Sequence, residues 1–465
     1  MEQFNKIKGI IKEYIESYYF LAFMALLSII TIFVPYKIPF LFVFVVVLLC
    51  VVLFSCNFKS VVSLLVYYYS LQQGRQLEIP SPTYFILLGL YSLIFLVLLI
   101  QVIRKRNVFF PKLKKDFLLY SMLLILAFML LSLINTEDFG LSAIGIGNFA
   151  LTILAYAFVK MTVDMTEENK NYIIISIITS ALVISIGCIY MIFFKLHEGF
   201  NFWDIFNRKL LSFGWLHSNH YTAFVNIAAI LCIYLFIKYK EVWKRILLVL
   251  SLFLFLIVEA FTVCRAGILA LGITFILSII VYFIYNKKYE KRKIWKDSFY
   301  LIPFVIAIIL GIIFMWHEGI LQELIDRFQK IGISENGRND VYDAALDQFR
   351  LHPIIGSGVY TSHLYTEFWN YHNYVLQMLG TCGILGLLGF IIYLFFSVKR
   401  TLQKNLYSVF VGIIIIYFLI HGAFDTMYFH NLLMPLLVVL QALQEDKKIK
   451  EEFKKDKINE EMELQ

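Results

Sequence analysis

The chain has 465 residues, of which 60% are apolar and 16% are charged, with a mean hydropathy of +0.77 and a net charge of +8. A soluble domain of this length cannot expose so much apolar surface to water, so the composition excludes a soluble globular protein and predicts a polytopic membrane protein. The positive charge lies mainly in segments predicted to be cytoplasmic and in the tail 447–457. It therefore indicates membrane orientation, with the lipid bilayer as partner and no nucleic acid.

The apolar stretches are predicted to cross the membrane as helices. Runs of about 18 or more apolar residues can span a hydrocarbon core of about 30 Å, and none alternates in the manner of a barrel strand. The predicted fold class is all-α, a polytopic integral membrane helical bundle of about 14 transmembrane helices. The spans are placed at residues 17–34, 38–55, 59–72, 83–102, 116–134, 142–160, 171–194, 216–237, 244–263, 265–285, 297–316, 373–396, 405–421 and 427–443.

The charges between the spans predict the orientation of the chain. The stretch 59–72 is short and rich in tyrosine, so hydropathy alone leaves its crossing doubtful. Counting it as a span places about three quarters of the lysines and arginines on the cytoplasmic side, as the positive-inside rule expects. Residues 1–465 then form a single polytopic membrane domain with both termini cytoplasmic and one large extracytoplasmic helical loop at 317–370. All nine histidines fall in or near segments predicted to face this outer side.

The six cysteines are scattered and lie mainly within predicted spans, with no Cys-x-x-Cys pair and no metal-binding spacing. No disulfide framework, no metal site and no cofactor are therefore expected. The absence of an Asp-x-Asp pair also weakly disfavours a metal-dependent enzyme that uses nucleotide sugars.

The loop 317–370 contains a predicted amphipathic helix that begins near Arg338. At about 100° per residue, Arg338 shares a face with apolar residues and the opposite face is acidic. The apolar face holds Val341, Tyr342, Ala345 and Phe349, and the acidic face holds Asp340, Asp343 and Asp347. An arginine that faces protein or headgroups usually has a designated anion, because an unpaired buried charge costs several kcal/mol. The alternative is a helix that begins at Asn339, with Arg338 snorkelling or paired locally with Glu335.

His372 and Asn373 stand where this loop becomes the next span. His352 and Pro353 are predicted to end the amphipathic helix, and residues 356–358 turn the chain back toward the membrane. An imidazole, whose ordinary pKa is about 6.5, can accept a proton near neutral pH, which makes His372 a candidate general base. A lone histidine at a membrane interface is more often a solvated hydrogen-bonding group, and this alternative stays open.

Two further polar groups stand at the outer edges of predicted spans. Arg265 lies between two apolar stretches with almost no loop, and Glu259 is nearby as a partner or competitor. Snorkelling at the interface explains Arg265 about as well as a functional site does. Another span opens with His217, Asn219 and His220, which could hydrogen-bond a sugar. Helix capping is the alternative explanation for Asn219.

In order along the chain, these residues resemble the O-antigen ligase and O-antigen polymerase superfamily. The resemblance covers roughly residues 200–400 and leaves the first six predicted spans unexplained. Two positions depart from the family pattern, since Cys264 stands where the family often has serine and Tyr342 where it often has tryptophan. The resemblance rests on the Asn219 region, Arg265-Ala266-Gly267, Gly337-Arg338, Tyr342, His352-Pro353-x-x-Gly356-x-Gly358, His372-Asn373 and the Gly-Ile-Leu-Gly run at 383–386.

The resemblance implies a metal-independent glycosyltransferase in the bacterial cytoplasmic (inner) membrane with an extracytoplasmic active site. Such an enzyme takes glycan from an undecaprenyl-diphosphate-linked oligosaccharide donor and joins it to a glycan or lipid-linked acceptor, with inversion at the anomeric carbon. It would act in O-antigen, capsule or other surface polysaccharide biosynthesis, alongside other polysaccharide assembly proteins. On this hypothesis Arg265 and Arg338 clamp the diphosphate, His372 is the base, and Asn373, His217, Asn219 and His220 bind substrate.

Two other classes of function remain compatible with the sequence. A transporter or flippase of lipid-linked glycan would also have many spans and few catalytic motifs. Transporters usually carry ionisable groups and broken helices near the bilayer midplane, often in repeated halves, whereas this chain carries its polar groups at one surface. A non-catalytic scaffold of a polysaccharide assembly complex would tolerate the loss of His372 and of both arginines. Polymerase and ligase differ only in acceptor, and polymerase is weakly favoured.

Overall fold

The fold is that of a computed structural model, which describes residues 2–34, 38–54, 58–71, 96–197, 218–262, 264–290, 338–368, 370–403, 405–430 and 433–444, together with several single positions. Regular structure throughout these ranges is helical. The principal helices are α1 (Glu2–Ile15), α2 (Tyr18–Phe33), α3 (Ile38–Phe54), α4 (Lys59–Leu71), α5 (Phe117–Ser132), α6 (Phe139–Thr162), α7 (Glu167–His197), α8 (Ser218–Lys238), α9 (Val242–Thr262), α10 (Arg265–Tyr285), α11 (Arg338–Leu351), α12 (Tyr374–Thr401), α13 (Leu406–Gly422) and α14 (Leu433–Ala442).

Seven helices of the described chain are long and apolar enough to cross a membrane, or up to eight if α2 counts as one bent span with the end of α1. They correspond to α5–α10 and α12, so the prediction of a polytopic helical membrane protein is confirmed. The predicted spans at 17–34, 38–55, 59–72 and 405–421 are helices of 13 to 17 residues. The predicted spans at 83–102 and 297–316 lie largely outside the described residues. The total of 14 and the extracytoplasmic position of 317–370 therefore stay predictions.

Helix α8 lies at the centre of the bundle. It packs against α7, α9, α10 and α13, and 83% of its apolar window is buried, against 28% for α10. A helix that is apolar and buried on all sides is typical of a protein core. Other parts of the protein therefore surround α8 on every face. Asn219 and His220 occupy the first turn of this helix. Their position at the end of the central helix puts them at the middle of one end of the bundle.

Side-chain caps fix where several helices begin. Asp116 Oδ1 accepts hydrogen bonds from the backbone N–H groups of Leu118 (3.1 Å) and Leu119 (3.2 Å) at the start of α5. Asp138 caps α6 and Asn405 caps α13 in the same manner. Each cap satisfies backbone donors that have no partner within the helix, and typically contributes about 1 kcal/mol.

Helix α12 is broken at Gly383, where φ is +63° and ψ is −160°. The loop that follows α11 fills the break with its own backbone. Ser357 N and Gly358 N donate to the carbonyls of Gly380 (3.1 Å) and Thr381 (3.0 Å). On the other side of the break, the backbone N–H groups of residues 384 and 385 donate to the carbonyls of residues 353 and 354 at 2.9 and 3.2 Å. The backbone groups freed by the break are therefore satisfied within the protein, as membrane depth requires.

This docking explains the pattern His-Pro-x-x-Gly-x-Gly at 352–358. Pro353 ends α11, and Gly356 has φ +75° and lies so close to α12 that an added Cβ would be 2.3 Å from backbone atoms of Thr381 and Cys382. Only glycine fits a left-handed position in such close contact. Residues 353–358, which include the predicted turn, therefore form a clasp that joins α11 to α12.

The last predicted span, 427–443, is shorter in the structure. Residues 423–426 leave the end of α13, Met427–Phe429 form a single 3-10 turn, and α14 begins only at Leu433. Pro435 then lies in the first turn of α14, where its missing N–H has no cost. The resulting turn, residues 423–430, lies between two buried helices.

Several of the lysine ion pairs lie at the opposite end of the bundle from His372. Lys112 contacts Asp164 at 3.5 Å and Lys59 contacts Glu168 at 3.6 Å, close to where α5 and α7 begin. His372 lies at the end where α6 and α12 begin. These ion pairs place charged groups at the end opposite His372, and the assignment of each end to a side of the membrane remains the prediction made from the positive-inside pattern.

Candidate active site

The turn 423–430 carries a buried carboxylate, Asp425, which is 2% exposed. Its Oδ2 accepts a hydrogen bond from Asn219 Nδ2 at 2.8 Å, and its Oδ1 accepts one from the backbone N–H of Thr426 at 2.8 Å. Oδ1 also lies 3.3 Å from His372 Nδ1. A buried carboxylate is tolerated only when it is paired and hydrogen-bonded, and Asp425 meets that condition through three parts of the chain.

The charge on Asp425 is stabilised by these neighbours. Burial opposes ionisation, but the hydrogen bond from His372, the fields of His220 and His372 and the hydrogen bond from Asn219 hold the pKa of Asp425 well below its usual range. Asp425 is therefore an anion at neutral pH. Hydrogen bonds to the charged form and nearby imidazoles outweigh desolvation here.

His372 meets this anion through Nδ1. An ionised carboxylate only accepts hydrogen bonds, so the contact assigns the proton of the neutral imidazole to Nδ1 and leaves Nε2 as an acceptor. The side chain is 19% exposed, so the ring is neither sealed in the core nor fully solvated. An orienting carboxylate behind an accessible imidazole is an arrangement that general bases use in acyl transfer.

The backbone at His372 is held in an uncommon conformation, with φ +51°. Its N–H donates to Asn370 Oδ1 at 3.0 Å, and the Phe368 ring packs edge-on against the imidazole at 5.0 Å between centroids. A left-handed φ in a residue other than glycine persists only where the surroundings over-determine it, and such residues concentrate at functional sites.

Asn373 has a structural role in the described chain. Its Oδ1 accepts from the backbone N–H groups of Val375 (2.8 Å) and Leu376 (3.1 Å), which makes it the N-cap of α12. Its Nδ2 donates to the carbonyl of Ala423 at 3.0 Å, in the turn that carries Asp425. Asn373 thus ties the start of α12, next to His372, to the turn that carries Asp425, and its contact with substrate remains a prediction.

Histidines converge around Asp425. The His220 and His430 rings are in contact, with their centroids 3.7 Å apart and their planes inclined by 40°, and Asp425 acts electrostatically on both His421 and His430. Burial, the field of His220 and the opposing field of Asp425 leave the pKa of His430 well below its usual range, so this ring is neutral. His220, His372, His421 and His430 therefore lie near Asp425 at one end of the bundle, and the side of the membrane that they face stays a prediction.

Arg265 is the first residue of α10 and is half-buried. The preceding residue, Cys264, places its Sγ 3.8 Å from His421 Nε2, and His421 Nδ1 lies 2.8 Å from the Tyr417 hydroxyl. Gly267 lets α10 approach, because an added Cβ would lie 2.5 Å from Thr222 and 2.8 Å from the Glu259 carboxylate. The start of α10 is therefore held against α8, α9 and α13, beside the histidine cluster.

Arg338 begins α11 on its inward face. Val341 and Ala345 on that face are 1% and 0% exposed and pack against Tyr371, while the acidic face predicted from the sequence is exposed. The predicted amphipathic face is confirmed, and Arg338 itself is half-buried. Because Tyr371 directly precedes His372, this packing joins the helix of Arg338 to the segment that carries His372. Glu335, the alternative local partner, lies outside the described residues.

The structure therefore brings His372, Asn373, Asn219 and His220 into one cluster and places Arg265 at its edge. Arg338 is joined to the cluster through α11 and Tyr371. His217 lies outside the described residues. Among the described residues, no group of three or more His, Cys, Asp or Glu side chains is placed to hold a metal ion.

Sequence reasoning missed Asp425, although a signal was present. Asp425 is the one acidic residue between positions 373 and 444 of the sequence, and it stands between two apolar stretches. Ionisable residues at such positions are functional candidates by default. His430 was also missed as a partner of His220, because the contact between the two rings depends on a turn that periodicity does not predict.

The fold and this site define a helical membrane protein that carries a carboxylate-oriented imidazole at one end of its bundle. Residues 250–391 match the sequence model of the O-antigen ligase family, which confirms the resemblance seen in the sequence. The match includes Arg265, Arg338, His372 and Asn373, and α8 and Asp425 lie outside it. It supports a role in the assembly of O-antigen or another surface polysaccharide and points to a glycosyltransferase-like enzyme. A comparison with curated proteins found no match.

Proposed function

We propose that this protein is a glycosyltransferase that elongates or transfers undecaprenyl-diphosphate-linked glycan at the outer face of the bacterial cytoplasmic membrane. The observation that carries the proposal is the contact between His372 Nδ1 and the buried Asp425 carboxylate at 3.3 Å. The match over residues 250–391 supports a glycosyltransferase-like reaction, and this pair would supply the base that such a reaction needs.

In the proposed step, a hydroxyl of the acceptor sugar attacks the anomeric carbon of the donor glycan. The hydroxyl proton passes to His372 Nε2, a new C–O bond forms, and the bond between the anomeric carbon and the diphosphate oxygen breaks with its electron pair. Undecaprenyl diphosphate leaves, and attack from the opposite face inverts the anomeric centre. General base assistance of this kind contributes about 10²- to 10⁴-fold in rate.

Arg265 and Arg338 would bind the diphosphate that leaves. A planar guanidinium can meet phosphate oxygens with two parallel hydrogen bonds and stabilises the charge that develops as the bond breaks. Both side chains are half-buried, so their charges act in a medium less polar than bulk water. The proposal needs no metal ion, as the family resemblance implies.

Asp425 would act as the positioning residue for His372. It fixes the tautomer and the orientation of the ring, and it stabilises the imidazolium that forms when the proton arrives. Asn219 and the N–H of Thr426 in turn hold Asp425, so the support extends to the central helix α8. Asn219 and His220 therefore support the base in the first instance, and their contact with sugar is a separate hypothesis.

The test is incubation of the purified protein with lipid-linked oligosaccharide in the presence of EDTA. We expect chain growth on the carrier if the protein is a polymerase, which we favour, and transfer only to an added acceptor if it is a ligase. His372→Ala should abolish transfer and leave donor binding largely intact, whereas His197→Ala, an exposed histidine at the end of α7, should leave transfer unchanged. Normal transfer by the His372→Ala protein would exclude the proposed base.

A flippase is the second candidate, and the break in α12 is the observation that favours it, because transporters often bind substrate at broken helices. In this protein the break is filled by the protein's own loop backbone at residues 353–358. Movement of lipid-linked glycan across vesicle membranes by the His372→Ala variant, without any transfer by the wild type, would support the flippase.

A further inference from the structure

A short segment, residues 104–115, lies at the end of the bundle that carries the lysine ion pairs. Residues 96–104 are helical, two short helical turns follow at Arg106–Phe109 and Phe110–Leu113, and α5 begins at Phe117. The segment therefore joins an apolar helix directly to a helix that is long and apolar enough to cross a membrane. A connection this short between apolar helices keeps its residues close to the membrane surface.

Contacts with the neighbouring helices fix the position of the segment. Lys112 Nζ donates to the carbonyl of Met161 at 3.0 Å and lies 3.5 Å from Asp164, just after the end of α6. Before the segment, Gln101 Nε2 donates to the carbonyl of Val52 in α3 at 2.9 Å. One cation of the segment thus anchors it to the bundle through protein partners.

The segment is strongly basic, with six Lys or Arg residues and no acidic residue. The next acid along the chain, Asp116, is buried, lies 3.6 Å from Arg400 and accepts a hydrogen bond from the Tyr156 hydroxyl at 2.7 Å. Its charge is therefore balanced inside the protein, and it does not neutralise the segment beside it.

Exposed cations and exposed apolar side chains are interleaved along this segment. Arg104, Arg106 and Lys114 are exposed, and within the described part of the chain no carboxylate pairs with them. Val108 is 61% exposed and Phe110 is 48% exposed. At a membrane surface, apolar groups of this kind enter the boundary between headgroups and acyl chains, while the cations lie at the level of the phosphates.

The chemistry of the segment fits anionic lipid better than an acidic protein. Guanidinium and ammonium groups bind phosphate oxygens through charge-assisted hydrogen bonds. Basic clusters beside a membrane span attract anionic lipid by about fivefold per cation, which corresponds to about 1 kcal/mol. An acidic protein would satisfy the cations but gains nothing from Val108 and Phe110, which the lipid boundary can bury.

We propose that residues 104–115 bind the phosphate headgroups of anionic phospholipids, such as phosphatidylglycerol, in the leaflet at this end of the bundle. Arg104, Arg106 and Lys114 contact the phosphates, and Val108 and Phe110 insert at the top of the acyl chains. The site lies at the opposite end from His372 and is independent of glycosyl transfer.

Lateral selection of lipid tests the proposal. Full-length Val108→Trp is reconstituted in vesicles of phosphatidylcholine and phosphatidylglycerol at one fixed ratio, with brominated acyl chains carried either by the phosphatidylglycerol or by an equal amount of the phosphatidylcholine. Bromine quenches tryptophan fluorescence only at short range, so the two quenching values compare the lipids beside position 108. The wild type, which has six tryptophans, supplies the background.

We expect brominated phosphatidylglycerol to quench the new tryptophan at least about twofold more than brominated phosphatidylcholine. Salt at about 1 M, which shortens the Debye length to about 3 Å, should reduce the difference. Ile276→Trp, at an exposed position in the middle of α10, should be quenched equally by the two lipids. Equal quenching at position 108 would overturn the proposal and leave an acidic protein as the partner that this surface fits.

Charge variants in the Val108→Trp protein test which residues bind the lipid. Arg104→Gln, Arg106→Gln and Lys114→Gln together should bring the two quenching values close to equality, whereas Arg104→Lys with Arg106→Lys should keep the preference because the charge remains. The matched control removes three exposed cations elsewhere, by Lys287→Gln, Lys288→Gln and Lys399→Gln. This control should keep the preference for phosphatidylglycerol. A preference that survives the three substitutions at 104, 106 and 114, or that is lost equally in the control, would overturn the assignment to this segment.

Discussion

Replacing Asp425 with asparagine changes the support of the base with little change in shape. The substitution removes the negative charge that faces His372 Nδ1 at 3.3 Å, and the one amide oxygen can accept either from Asn219 or from the Thr426 N–H, but not from both. A hydrogen bond to a buried charged group is worth about 1.5–3 kcal/mol, and about 1.36 kcal/mol corresponds to a tenfold change in rate. We therefore expect kcat to fall by about 10- to 150-fold.

The loss becomes larger if the new amide presents an N–H group to Nδ1. The imidazole would then carry its proton on Nε2 and could not accept one from the acceptor hydroxyl. The assay is glycan transfer by purified protein with lipid-linked oligosaccharide, and the KM for donor should stay near the wild-type value. Asp347→Asn, which removes an exposed carboxylate paired with Arg350 at 2.7 Å, is the matched control and should have no effect. An Asp425→Asn protein that folds and turns over at the wild-type rate would refute the role of the carboxylate.

Replacing Arg338 or Arg265 with alanine should cost about 2.7–4 kcal/mol of transition-state stabilisation in the transfer assay, and lysine should restore little; full rescue by lysine would indicate simple snorkelling. Gly356→Ala should lower the free energy of unfolding in detergent by more than about 2 kcal/mol, and with it the melting temperature, because φ is +75° and the new Cβ would meet the backbone of α12 at 2.3 Å. Gly147→Ala, where an added Cβ meets nothing within 4 Å, should be neutral or slightly stabilising, and equal melting temperatures for the two variants would contradict the clasp. Because folding lowers the pKa of Asp425, its ionised carboxylate stabilises the folded protein at pH values above the unfolded pKa of about 3.9. The wild type should therefore have a higher melting temperature than Asp425→Asn at neutral pH, and this difference should disappear when the pH falls below the lowered pKa of the folded state. An advantage that instead disappears between pH 7 and 5 would contradict this assignment.

Apolar runs and their flanking polar residues predicted the helices well, because burial in lipid or protein is a property of each segment by itself. The span predicted at 405–421 is Leu406–Gly422, and the one at 373–396 begins as α12 at Tyr374. The face of α11 was also predictable, because Val341 and Ala345 follow the helical period and are buried. Local periodicity needs no knowledge of the rest of the chain.

Features that depend on a second segment could not be predicted in this way. Within the span predicted at 373–396, Gly383 could permit either close helix packing or a break, and it is the position where α12 breaks. Glycine serves both purposes, and the choice depends on whether another backbone is available to satisfy the freed groups. Here the backbone comes from a loop 25 to 30 residues earlier in the chain, so the break lies beyond any local pattern.

The active site shows the same division. His372 and the two arginines were predictable as polar residues at the edges of apolar stretches. The partner of His372 was not, because Asp425 lies 53 residues further along and reaches the imidazole only through the turn after α13.

The clasp at residues 353–358 constrains how the protein can be assembled during synthesis. The ribosome makes these residues before α12, so the carbonyl groups of Pro353 and Ile354 have no partner until residues 384 and 385 have followed them into the translocation channel. The backbone N–H groups that begin the second half of α12 have no protein acceptor until residues 353 and 354 pack against them. The packing of residues 353–358 against α12 therefore cannot be completed before residues 384 and 385 have been made.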